Sequence, residues 1–122
     1  NNSVVVARRD IQNTKTSIPI NTLDSEITSL LDTIQNEMLK VSEQFLIDNT
    51  SHAENMDELL KQLQDSDGFV SCYWVEDKED ELKIKELTKA TIRCYPIENT
   101  DEKQSVNKAD QPGKFVIFSK SY

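Results

Sequence analysis

The sequence has 122 residues, 14 of them Lys or Arg and 22 Asp or Glu, for a formal net charge of −8, and only 36% are hydrophobic. That length suits one domain better than two. The apolar share lies well below the usual ~45–50%, so the core must be thin, and part of the stability is expected to come from a neighbouring surface. The two glycines, Gly68 and Gly113, are far apart and cannot build a loop that wraps its amides around phosphate. With His52 as the one histidine, paired-histidine metal sites are excluded. Lys and Arg are scattered among more numerous acids, whereas gripping phosphates requires clustered cations. The longest apolar runs, Val4 to Ala7 and Phe115 to Phe118, fall far short of the ~20 residues that span a bilayer, so no membrane partner is expected, and no segment has the pattern of a signal peptide. Two cysteines, Cys72 and Cys94, suit a reducing cytoplasm better than a disulfide framework. The chain opens on Asn1 with strand-like sequence and reads as a piece cut from something longer.

In chain order, Val4, Val5 and Val6 form a β-branched run that suits a strand, one that should pair with structure outside the chain or join a small sheet. Residues 11–22, rich in Thr, Ser and Asn and carrying Pro19, read as a linker. Then Ile27, Leu30, Leu31, Ile34, Met38, Val41 and Phe45 recur at helical spacing within an arc of about 100°. They predict one long amphipathic helix over roughly 23–48, lying on a body with its polar back to water. Asn55 followed by Glu58 has the form of a capping box, Met56, Leu59, Leu60 and Leu63 supply an apolar face, and Asp67-Gly68 stops that helix. Phe69 to Trp74 is strand-like, Glu79 to Leu87 is a short charged helix, and Thr91 to Tyr95 alternates like a strand, which predicts a strand–helix–strand unit with its two strands parallel. The polar segment 99–113 reads as a mobile loop, and Phe115 to Phe118 as a final strand. The fold class is therefore α/β, with about three helices and a small mixed sheet of three or four strands.

Several segments together resemble a known family. Val4-Val5-Val6-Ala7-Arg8-Arg9-Asp10, the long helix, Gly68-Phe69 leading to Trp74, Lys83-Ile84-Lys85-Glu86 with Ala90 to Cys94 and Pro96, and the closing Ser119-Lys120-Ser121-Tyr122 match, in order, the C-terminal end of prolyl-tRNA synthetase of the archaeal/eukaryotic-like type. The resemblance implies that residues 1–10 are the last strand of an anticodon-binding domain, 11–22 a linker, and 23–122 an α/β domain of the kind commonly described as zinc-binding. It implies a class II parent enzyme that activates proline with ATP and Mg²⁺ and transfers it to tRNA. That parent would be cytoplasmic and a homodimer, with its catalytic residues upstream and none in this chain. The partners implied are the parent's own catalytic and anticodon-binding domains, with tRNA reached only through the parent. It also implies that Tyr122 ends a tail reaching toward the parent's active site. The family's zinc cysteines are missing: the first pair of positions holds Val75 and Asp80, and the loop from Asn99 to Lys114 has no cysteine. No metal or other cofactor is expected in the chain.

Other residues invite competing readings. Cys72 and Cys94 could be ligands or a redox pair with His52 and Asp80, against two buried thiols that pack as small hydrophobes. His52 reads as part of an exposed turn. The acids Glu76, Asp77, Glu79, Asp80 and Glu81 could hold a cation, but they lack the spacing of a calcium loop and sit where acids favour a helix start. Arg8 and Arg9 are either tRNA contacts or structural ion pairs. The alternative to a synthetase fragment is a free-standing acidic module that docks through the apolar face of helix 23–48.

Overall fold

A computed structural model describes residues 2–120, and the chain divides into two compact units, Asn1–Phe45 and Leu46–Tyr122. In the first unit, β1 (Ser3–Val6) pairs antiparallel with β2 (Thr16–Pro19), Val4 opposite Ile18 and Val6 opposite Thr16. The valine run thus finds its partner inside the chain. The stretch expected as a linker supplies it, because Thr16, Ser17 and Ile18 tolerate extended backbone and Pro19 stands at the strand's end, where its missing N–H costs no ladder bond. Asn13 takes a left-handed backbone (φ 61°) in the connecting turn, which Asn accepts more readily than most residues. The Thr14 hydroxyl accepts from the Arg8 N–H and donates to the Ile11 carbonyl.

A single 3-10 turn, Ile20–Thr22, leads into α1 (Leu23–Asp48). Asp24 and Glu26 in its first turn favour the positive end of the helix dipole. The helix is as long as its periodicity predicts, but the expected burial of the stripe stops early. Ile27, Leu30 and Ile34 are half-buried, whereas every residue from Gln35 to Asp48 is exposed, with Met38, Val41 and Phe45 at 60%, 71% and 67%.

The second unit holds a five-stranded mixed sheet. Its strands are β3 (Thr50–His52), β4 (Phe69–Trp74), β5 (Ala90–Cys94), β6 (Glu102–Gln104) and β7 (Pro112–Lys120). Their order is β3-β4-β7-β5, with β6 on the first residues of β7. β3 runs parallel to β4; β4, β5 and β6 are all antiparallel to β7. The strand–helix–strand unit is present and its strands do run parallel, but they are not neighbours: β7 lies between them. Gly68 does not end the preceding helix through a left-handed backbone, since no glycine has positive φ. Ser66 is the cap, and a Cβ at Gly68 would lie 2.3 Å from the Asn49 carbonyl oxygen. What the glycine provides is close approach.

α2 (Met56–Asp65) starts as its sequence predicts. The Asn55 side chain accepts from the Glu58 N–H, and the Glu58 carboxylate reaches back to the Glu54 N–H, one residue before the cap. α3 (Lys78–Thr88) is capped by Asp77, which accepts from the N–H groups of Glu79 and Asp80. α2 and α3 lay Leu59, Leu63 and Ile84 on one face of the sheet, where Val70, Cys72 and Trp74 of β4 meet Val116 and Phe118 of β7. These are alternate residues on each strand, as a pleated ladder requires. The Trp74 and Phe118 rings meet edge to face, centroids 5.0 Å apart. The segment expected as a mobile loop is built into this unit: β6 pairs with β7, Ser105 is buried at 4% exposure, and Val106 packs against the core.

Candidate functional site

Where β4 ends and α3 begins, the chain gathers the positions that the family resemblance marks for metal. Val75 follows Trp74, and Asp80 lies in the first turn of α3. Asn107 spans both: its amide oxygen accepts from the Val75 N–H (3.0 Å), and its amide nitrogen donates to the Val75 carbonyl (2.8 Å) and the Asp80 carboxylate (3.1 Å). Lys108 adds its ammonium to Asp80 (3.2 Å) and to Asp77 (3.3 Å). Two successive residues of the polar segment therefore tie it to the strand end and the helix start.

The electrostatics follow from this geometry. The Asp77 carboxyl is held below the ordinary carboxylate range, first by the Asp80 N–H and then by Lys108. Lys108 is raised by Asp80 and then Asp77. These donors do not fit zinc, which needs four thiolate, imidazole or carboxylate ligands. Val75 offers none, and a cation at Asp80 would face the Lys108 ammonium. Among the described residues no group of three or more His, Cys, Asp or Glu is placed to hold a metal ion. Sequence reasoning missed Asn107 and Lys108. The one local signal was Val106 beside them, the largest apolar residue of an otherwise polar stretch, which packs against the core.

The cysteines part company. Cys72 is fully buried, and desolvation pushes its thiol up to about 12. Cys94, expected to be buried as well, is exposed and free, because it closes the last, irregular step of β5. His52 is not in a turn. It ends β3, with its Nδ1 2.9 Å from the Ser71 hydroxyl and its ring stacked on Phe115 and edge-on to Tyr73. It also borders an open cleft of about 700 Å³ lined by Glu54, Glu58, Lys61 and Gln62. Cys72, Cys94, His52 and Asp80 are not brought together.

In the first unit, Arg8 donates to Asp10 (2.7 Å) and Glu37 (2.5 Å), so its guanidinium is neutralised twice over, its pKa is raised, and the Asp10 carboxyl is lowered by it. Arg9 is exposed and has no ion-pair partner among the described residues. Tyr122 and Ser121 lie outside the described residues. No helix among the described residues is long and apolar enough to cross a membrane.

Comparison with known proteins converges on one family. Residues 56–122 match the family model for the C-terminal region of prolyl-tRNA synthetase. The chain is 40% identical, over its whole length, to proline–tRNA ligase 2 of Clostridioides difficile, and 36% identical over 98% of its length to the proline–tRNA ligase of a Roseiflexus species. It spans about a quarter of the length of each, 25%. The prolyl-tRNA synthetase of Cryptosporidium parvum, solved with L-proline and AMP, superposes with a TM-score of 0.83 at 28% identity, over 99% of this chain and 26% of that one. Matched by the family model over more than half its residues, α2 through β7 included, the chain belongs to the prolyl-tRNA synthetase C-terminal family.

Proposed function

We propose that this chain is the C-terminal quarter of a cytoplasmic, homodimeric proline–tRNA ligase. The parent activates proline with ATP and Mg²⁺ and transfers it to tRNA; this chain supports that reaction and contributes no catalytic residue of its own. The observation that carries the reading is the alignment of the whole chain with a quarter of proline–tRNA ligases at up to 40% identity. The family model begins at residue 56, close to the break between the two compact units after Phe45. The resemblance puts residues 1–10 on the anticodon-binding side, 11–22 in a linker and 23–122 in the C-terminal domain; the break after Phe45 favours moving that boundary so that β1, β2 and most of α1 join the anticodon-binding side. The Met38, Val41 and Phe45 face of α1 would then lie against the parent's upstream structure. Arg9, unlike the doubly paired Arg8, is free to meet a tRNA phosphate. Tyr122 would direct its ring toward the parent's active site, where an aromatic with a polar tip can anchor.

The test is proline-dependent ATP–pyrophosphate exchange. The parent enzyme should catalyse it and the 122-residue chain should not; exchange by the purified chain refutes the assignment. The exposed stripe on α1 also favours a second reading, a free-standing docking module. An initiator methionine directly before Asn1 in the gene would select that reading, and a reading frame continuing upstream into a class II catalytic core would exclude it.

A further inference from the structure

β3 stands at one edge of the sheet, with β4 as its strand neighbour. In a parallel pair, alternate residues turn both backbone groups toward the partner strand. Here those residues are 49, 51 and 53: the Asn49 carbonyl accepts from the Phe69 N–H, and the Ala53 N–H donates to the Ser71 carbonyl. Thr50 and His52, between them, turn their backbone groups to the outer edge. A strand edge of this kind is a template for a further strand unless something covers it.

The cover at His52 is the Gln62 side chain of α2, whose amide nitrogen donates to the His52 carbonyl at 3.1 Å. The oxygen of the same amide is buried and has no hydrogen-bond partner among the described residues. Turning the amide over would set that oxygen against the His52 carbonyl oxygen, so the one bond fixes its orientation. A buried acceptor without a donor keeps its full desolvation penalty, and a side chain held by one bond at that penalty is readily displaced. The space alongside suits a replacement. The open cleft of about 700 Å³ lies between β3 and α2, and Asp48, Glu54, Glu58 and Asp65 border it against the one ammonium of Lys61.

We infer that this cleft is a docking groove for an extended peptide segment carrying Lys or Arg, which adds to β3 as a new edge strand. A peptide N–H donates to the His52 carbonyl in place of Gln62, and a peptide carbonyl accepts from the His52 N–H. Gln62 swings out to water, where both ends of its amide are satisfied. Strand addition draws affinity from main-chain bonds and selectivity from side chains; here cationic side chains meet the carboxylates along α2. A small cation or a basic helix would answer the charge but leave the strand edge open.

Fluorescence anisotropy of a labelled peptide of alternating Lys and Val, titrated with the full-length protein that contains this chain, tests the groove. Saturable binding at about 100 µM or tighter is expected. Methylating the peptide's backbone nitrogens removes its main-chain donors and should weaken binding about tenfold or more, as should exchanging its Lys for Glu. Two substitutions in the protein separate edge from charge. Gln62→Ala removes the cover and should tighten binding roughly three- to tenfold. Asp65→Lys, in the last turn of α2 where a cation suits the helix dipole, should weaken the Lys peptide and strengthen the Glu peptide, with the circular dichroism unchanged. A Gln62→Ala protein that binds no tighter than wild type overturns strand addition, and so does indifference to N-methylation. Equal affinity for the Lys and Glu peptides overturns the choice of a basic segment, and no saturable binding by wild type or Gln62→Ala sinks the groove altogether.

Discussion

The two units solve the burial problem differently. The second closes a core of its own: Leu59, Leu63, Trp74, Ile84 and Phe118 are all at or below 2% exposure. Among its described residues the first buries Ile18 at 8% and no other large apolar residue, while Met38 and Val41 in the second half of the 26-residue helix are 60% and 71% exposed. Hydrophobic burial is the main favourable term in folding, and among the described residues the second unit has far more of it than the first. A low overall apolar content conceals this division, because the sparse hydrophobic residues are concentrated where one sheet face meets α2 and α3.

The sharpest way to break the contrast is to truncate one aromatic in each unit. Phe118→Ala should destabilise the second unit by ~3–5 kcal/mol, the usual cost of emptying a buried aromatic site. Phe45→Ala, at 67% exposure, should change the stability of the chain by less than about 0.5 kcal/mol. Trp74 is the only tryptophan and sits against Phe118, so its fluorescence during urea titration reads the second unit selectively. A large loss from Phe45→Ala in this chain would mean that the helix face is already covered.

Gly113→Ala comes next. An added Cβ would meet the Trp74 backbone nitrogen at 2.6 Å and the Ser105 Cβ at 2.8 Å. Neither is the free end of a flexible side chain, so β7 must move against β4, at a cost of about 1–3 kcal/mol. Retention of the wild-type urea midpoint would show that the strands can part there without penalty.

Asn107→Ala should follow closely. It leaves the Val75 N–H and carbonyl without partners, a desolvation cost of roughly 1–3 kcal/mol. EDTA should not shift the melting curve of either protein, because packing and this amide hold the segment. A chelator-sensitive melt, with one zinc per chain by elemental analysis, would contradict both expectations.

The smallest effect is pH-dependent. The Asp77 carboxyl titrates below its unfolded value of about 3.9, so its contribution is fully present above that value and lost as pH falls through the lower, folded one. Lys108 is raised, so its contribution is fully present below its unfolded value of about 10.4 and lost as pH rises through the folded one. The melting temperatures of wild type and Asp77→Asn should therefore differ by a constant amount between about pH 6 and 9 and converge in acid. A constant gap down to the lowest pH at which the chain folds would assign the cap, rather than the charge, the whole effect.

The sequence made the helices legible because each has a periodic face and a recognisable start: the stripe from Ile27 to Phe45, Asn55 with Glu58, and the acids around Asp77. The strands with clean alternation were legible as well. What stayed hidden was long-range. Nothing in Thr16-Ser17-Ile18 says that it returns to β1, and nothing in Phe115 to Phe118 says that it inserts between β4 and β5, since strand order depends on partners far away in the chain. The clasp was hidden for the same reason: Asn107 and Val75 are 32 positions apart. His52 was misread because three short polar residues can form an edge strand when a parallel neighbour offers the hydrogen bonds.

The placement of β7 at the centre of the sheet also bears on synthesis. β3, β4 and β5 leave the ribosome before it, yet β4 and β5 share no hydrogen bonds and wait for the strand that joins them. A nascent chain broken off before Pro112 therefore lacks the strand that joins β4 to β5, together with the Val116 and Phe118 side chains that complete the hydrophobic face. The topology makes synthesis of β7 a condition for closing this sheet, so a product truncated ahead of that strand cannot assemble it.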